Sequence, residues 1–499
     1  MTPKAARPDR GATVIARGEQ PAHPASGSKA PRKSTLTDLF RRLFGIPSPE
    51  EQINVRIAPL LGDDENRTAT RRNADVWAAN KLFPVRVAAK PFPAEGAFPT
   101  PLQFSLIAPL ARQFLASEKG DLLIAGEVVG DHLHLRFVPQ FAPEEDAPDA
   151  LSAGIPLIVP AEMGEDARAL IRAVALTVIA SLSPLKAATA RAALAAAIEP
   201  AGLAMEALRR ALIGRDKGCT LLVLASATAR AGYAQSSSPL LQKSIEYYRA
   251  AVEALGRDKS SYEWATGSRL LGSELLALAE RANDKAALME SLVALQAAGA
   301  ALPRETAPRD WAAVQHRLGL AFIRVHEENS SVEPLKQALG ALQAALHVFT
   351  RAEHPQRWAD IMNSVGQSGQ LLGQIMASPE IIERAVTACR QAIAVRDRDN
   401  HPLFWAASQN NLGSALFALG RMTGSLQSLV EAEEAFNGAR EVYFARGADK
   451  LAMIAEKNMT RVRQLLPATQ AKAADAPKGW YEIDDEEEWK KMKGDKKKD

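Results

Sequence analysis

The stretch WAASQNNLG, Trp405 to Gly413, decides the fold because it is the fourth of its kind. WATGSRLLG begins at Trp264, WAAVQHRLG at Trp311 and WADIMNSVG at Trp358, so a Trp-Ala pair with a glycine eight residues on returns every 47 residues. Self-similarity at a fixed period of this length is the mark of a stacked repeat, and it takes precedence over any local reading. Small residues keep the same phase at Ser244, Ser291, Ala338, Ala385 and Ala432, and again at Ala251, Ala298, Ala345, Ala392 and Ala439. Each unit therefore reads as a helix A, opened by Trp-Ala and carrying Gly272, Gly319, Gly366 or Gly413, and an Ala-rich helix B. Glycine at a fixed helical position admits the facing helix, and the periodic Trp reads as packing, each worth roughly 2–3 kcal/mol if buried.

Two ends complete the array. LLQKSIEYYRAAVEAL, from Leu240, is an earlier helix B whose helix A is the degenerate CTLLVLASATARAG. KLAMIAEKNMTRVRQLL, from Lys450, arrives where a fifth Trp is due and lacks it, as a capping helix should.

The motif WAxxQNNLGxAL, with its Ala-rich second helix, resembles the extended tetratricopeptide repeats of bacterial repeat proteins and, more distantly, of kinesin light chains. The resemblance spans 217–467. It rests on the pairs Leu271-Gly272, Leu318-Gly319, Val365-Gly366 and Leu412-Gly413, with Val365 a departure. The 47-residue unit is longer than the usual length of about 34, and its Trp sits a turn early. Such arrays imply a concave groove lined by helix A that binds extended peptides. Through the Leu-Gly correspondence, Trp+5 points into it: Arg269, His316, Asn363 and Asn410, with Gln367 and Gln370 extending the row and Arg324 beside it. Asn offers a donor and an acceptor to a peptide backbone, and Arg269 could grip a carboxylate with two bonds. The competing reading is the solvated face of each helix.

Ahead of the array the pattern changes. INVRIAPLL, PVRVAA, DLLIAGEVVG and HLHLRFVP read as strands, with helical segments following the first two and a hairpin across Gly130-Asp131. That order makes 50–160 a small α/β domain, similar to the amino-terminal α/β module of TolB and its relatives. APEEDAPDALSAG reads as a linker-like insertion, and 164–215, broken at Pro184, as a connecting helical hairpin. The fold class is α+β multidomain: a small α/β domain, then an all-α, tetratricopeptide-like superhelix.

The termini differ from both. Residues 1–33 read as a disordered basic tail, with seven Lys/Arg against two acids. At 34–46 an amphipathic helix presents Leu36, Leu39, Phe40, Leu43 and Phe44 on one face, either for peripheral membrane contact or for packing back onto the chain. Residues 468–499 read as a disordered acidic and basic tail. There Trp480, Tyr481, Ile483 and Trp489 stand in and around the block Glu482–Glu488, a recognition segment or, by analogy with kinesin light chains, an autoinhibitory one.

Composition bounds the rest. With 47% hydrophobic and 24% charged residues and a net charge of +3, the chain reads as globular, with no nucleic-acid partner predicted. Cys219 and Cys389 offer neither a disulfide framework nor zinc spacing, the charge-free run Ala173–Leu185 is too short to span a bilayer, and the chain reads as cytoplasmic. No GxGxxG after a strand, GxxxxGK[ST], HExxH or GxSxG occurs, so a non-enzymatic scaffold without cofactor is expected. Asp63, Asp64 and Glu65, after the first strand, read as a helix cap or, in a ligand-sensor reading, as a nucleotide or cation site. His132 and His134 share a strand face with no third ligand nominated.

Overall fold

The computed structural model of the protein describes residues 50–466, apart from 79, 94–97, 142–151, 180–183, 209 and 257. Residues 1–33, the helix expected at 34–46 and the tail 468–499 with its aromatic motif lie outside the described residues. The described residues form two compact units, 50–368 and 369–466, and the boundary lies inside a helix rather than between sheet and repeats.

The first unit opens with β1 (Val55–Ile57), α1 (Thr68–Asp75), β2 (Val85–Val87), α2 (Pro101–Ser117), β3 (Leu122–Val129) and β4 (His132–Pro139). A fifth strand, β5 (Leu157–Pro160), completes a sheet of order β2-β1-β3-β4-β5. The β1 pairings to β2 and β3 are parallel, and the β3-β4 and β4-β5 pairings are antiparallel. INVRIAPLL yields only three strand residues because Pro59 has no N–H to donate. Backbone bonds from Ala58 and Leu61 to Ile124 and Gly126 still follow it along β3. The hairpin forms at the expected place, with Val129 opposite His132 and Gly130 at φ +56°. β5 had no alternation to announce it, since IPLIVP is a short apolar run at the end of a linker-like segment. The hydroxyl of Thr220 accepts from the Ile158 N–H at 3.2 Å and donates to its C=O at 2.9 Å, which occupies part of this sheet edge.

The helices follow in order: α3 (Glu165–Val178), α4 (Pro184–Leu208), α5 (Gly214–Ala234), α6 (Ser238–Leu255), α7 (Tyr262–Ala282), α8 (Lys285–Ala301), α9 (Pro308–Asn329), α10 (Val332–Leu346) and α11 (Pro355–Ile375). Beyond the boundary come the end of α11, then α12 (Pro379–Ile393), α13 (Pro402–Thr423), α14 (Leu426–Ala445) and α15 (Asp449–Arg463). A small mixed sheet followed by helices packed in neighbouring pairs is the α+β, helical-repeat architecture that the period predicts.

The helical register is built from one turn used five times. Ser236, Asn283, Ser330, Ala377 and Gly424 all take left-handed backbone, φ 51°, 54°, 57°, 48° and 73°, and end their helix A. The next residue is always Ser or Asp: Ser237, Asp284, Ser331, Ser378 and Ser425. Four of these five accept a hydrogen bond from the first turn of helix B, and Ser331 does not. A left-handed stop followed at once by an N-cap reverses the chain in two residues.

Packing of A on B then depends on missing side chains. A Cβ at Gly272 would lie 2.7 Å from Leu295, one at Gly319 2.7 Å from Leu342, and one at Gly413 2.9 Å from the Phe436 ring. Nearer the turn, Gly373 and Gly420 meet Ile382 and Leu429 in the same way. Helix α15 ends the array: Thr460, Arg463 and Gln464 stand where α13 has Gly413, Leu416 and Phe417, so its register positions for a further helix B are polar.

Two substitutions test this construction. Gly272→Val should lower stability by about 1–3 kcal/mol through overpacking against Leu295. Ala377→Gly, which relieves a left-handed alanine, should raise it by about 0.5–1 kcal/mol. Equilibrium urea unfolding reads both.

Candidate functional site

Three of the four tryptophans that open a helix A are covered from one side by arginine. Arg304 lies over Trp311 at 4.9 Å, Arg351 over Trp358 at 5.6 Å and Arg398 over Trp405 at 5.3 Å. Trp264 is buried, whereas these three are half-buried, so each guanidinium shields an aromatic face that the packing leaves open. The sequence carries the same signal, since Arg257, Arg304, Arg351 and Arg398 are also 47 residues apart.

The residues expected to line a groove separate into three groups. Arg269, His316 and Gln367 are 1%, 4% and 7% exposed and belong to the interior of the first unit. Their side chains are enclosed here rather than presented on an open helix face. Arg269 lies 3.9 Å from Asp310, whose other oxygen accepts from the Tyr262 hydroxyl at 3.0 Å. That hydroxyl also meets Ser105 of α2 at 3.1 Å and Ser152 at 3.0 Å, so the sheet-bearing part of the unit is seated on α7. Arg324 and Gln370 form the second group. Arg324 is bonded to Glu327, Glu328 and Asn283, which leaves its charge neutralised, and Gln370 donates to Gln374 one turn on.

Asn363 and Asn410 form the third. Each is half-buried on its own helix A, Asn363 in the first unit and Asn410 in the second. In each the Oδ1 is buried and has no hydrogen-bond partner among the described residues. An amide end left unmatched in this way is rare in folded proteins and has chemistry to offer a donor.

The acidic loop after β1 is committed to its own helix. Both oxygens of Asp63 accept bonds, from the N–H of Asp64, Ala69 and Thr70 and from the Thr70 hydroxyl, and Asp64 caps Thr68. Of the two readings of that loop, this geometry is the helix cap. No group of three or more His, Cys, Asp or Glu among the described residues could hold a metal ion. Burial pushes both thiols up to about 12, which leaves Cys219 and Cys389 without thiolate near neutral pH. His134 is held down at about 4, chiefly by burial; Asp216 opposes the shift, and Arg215, Arg136 and His132 reinforce it.

The His134 shift carries a sign. The unfolded chain takes up a proton near pH 6.5 that the folded imidazole refuses until about 4, so stability falls as pH drops through that window. Comparing unfolding free energies of the wild type and His134→Gln from pH 7 to pH 4 isolates the effect. The difference should grow in favour of the variant as the pH falls.

No protein-family model matches the chain, and no curated protein resembles it. Among solved structures it is similar to a chain described as "Circular tandem repeat protein with novel repeat topology and enhanced subunit contact surfaces", with a TM-score of 0.24 and 16% identity over 61% of this chain and 80% of that one.

Proposed function

We propose that the protein is a non-enzymatic adaptor of the bacterial cytoplasm, whose tetratricopeptide-type helices capture an extended polypeptide partner. One observation carries the reading. At the same register of two successive helix A segments stands an asparagine whose Oδ1 is buried and unmatched, Asn363 and Asn410. An extended backbone has a donor and an acceptor at every residue, and a side-chain amide answers both.

Binding of this kind is the sum of modest bonds, so single changes should be mild and paired ones plain. Asn363→Ala and Asn410→Ala should each weaken a peptide ligand by roughly three- to tenfold, and the double variant by more than either. Because each change also removes a buried, unmatched acceptor, stability should hold or rise. Fluorescence anisotropy against a panel of extended peptides, alongside thermal unfolding, reads both quantities. Loss of stability with unchanged affinity would make these asparagines structural and sink the proposal.

A further inference from the structure

Away from the repeats, a cleft of about 230 Å³ opens between the end of α1, α3 and α4. Its walls are mostly apolar, with Trp77, Phe83, Leu176 and Ala193 among them, and Asn80 and Arg172 are the polar residues of the lining. The two rings sit 5.5 Å apart at 57°, a tilted aromatic pair that presents both edge and face. A cleft of this size lies below the range of about 300–1,000 Å³ usual for drug-sized ligands, so a small molecule is the fit.

One buried polar atom of a lining residue is unaccounted for. Trp77 is 2% exposed, and its indole N–H is buried with no acceptor among the described residues. Buried donors in native proteins are almost always met, and each exception asks for a reason. Arg172 adds charge. Its Nε donates to the Val76 carbonyl at 3.3 Å, and no partner among the described residues is recorded for its terminal nitrogens. No Asp or Glu lines the cleft, so the guanidinium meets no carboxylate there.

We propose that this cleft binds a small apolar carboxylate, aromatic or branched aliphatic. The body would lie against Trp77, Phe83 and Leu176, and the carboxylate would accept from Arg172 and the Trp77 N–H. A cation would meet Arg172 unfavourably. A neutral molecule of the same shape would fill the walls but leave the donors underused, and that difference sets the discrimination.

Calorimetric titration of the full chain with benzoate, phenylacetate and 3-methylbutyrate, with benzyl alcohol as the neutral control, tests the proposal. Saturable one-to-one binding of at least one acid is expected, about tenfold tighter than the alcohol. Trp77→Phe keeps the wall and removes the N–H, and should weaken the acid severalfold. Arg172→Gln should abolish the preference for acid over alcohol. Ala196→Phe, an exposed position on α4 at the cleft, should block binding while leaving the melting temperature unchanged, which separates occlusion from misfolding. The proposal is overturned by no saturable binding of any acid at millimolar concentration. It is equally overturned by alcohol binding as tightly as acid, or by affinities that ignore all three variants.

Discussion

The architecture depends on a contact that a methyl group would spoil. In three of the four complete units, glycine on helix A stands where helix B meets it, and a large side chain of B sits less than 3 Å from where a Cβ would be. The facing residues are Leu295, Leu342 and Phe436; at the same register in the third unit stands Cys389, buried to 0%. Large-into-absent packing of this sort sets the separation of the two helices, and repetition of one separation lets units stack. The turn complements it. A left-handed residue and an N-cap bring helix B back in two residues, at the same phase each time. Four of the five left-handed positions are not glycine, so some local strain is accepted for that tight return.

Division of labour follows from the same register. Positions fixed by packing recur almost unchanged, as Trp, Gly and the cap serine or aspartate do. Trp+5 varies as Arg, His, Asn and Asn, and the variation tracks the surroundings. The first two are enclosed within the unit that also holds the sheet, and the last two keep an unmatched amide oxygen. The early part of the array thus serves the protein's own construction, through Tyr262, Asp310 and the serines of the sheet-bearing part. The later helix A segments keep amide oxygens, at Asn363 and Asn410, with no hydrogen-bond partner among the described residues.

Much of this was legible from spacing alone, and the rest failed for identifiable reasons. The repeat, the capping helix and the β3-β4 hairpin all follow from periodicity, because a period reports which face of an element must be buried. Periodicity does not report what lies opposite. Arg269 sits at a helical position that can face solvent, and only the long-range seat of Ser105 and Ser152 against Tyr262 encloses its neighbourhood; no local signal encodes a contact 157 residues away in sequence. β5 was missed because a buried edge run carries no alternation. The arginines over the tryptophans were missed for the opposite reason. They are perfectly periodic, but a charged residue at a fixed spacing reads as a solvated position, whereas a cation over an aromatic ring is packing by a charged side chain.

The most direct test of the central claim is a double-mutant cycle on Gly319 and Leu342 in the full chain, read by equilibrium unfolding. If the two helices are held at their spacing by this contact, Gly319→Ala destabilises the wild type but costs little once Leu342 is alanine. The coupling should then be of the order of 1 kcal/mol or more. Additive costs would contradict the account, because they would mean that the glycine and the leucine do their work independently and that the register rests on something else.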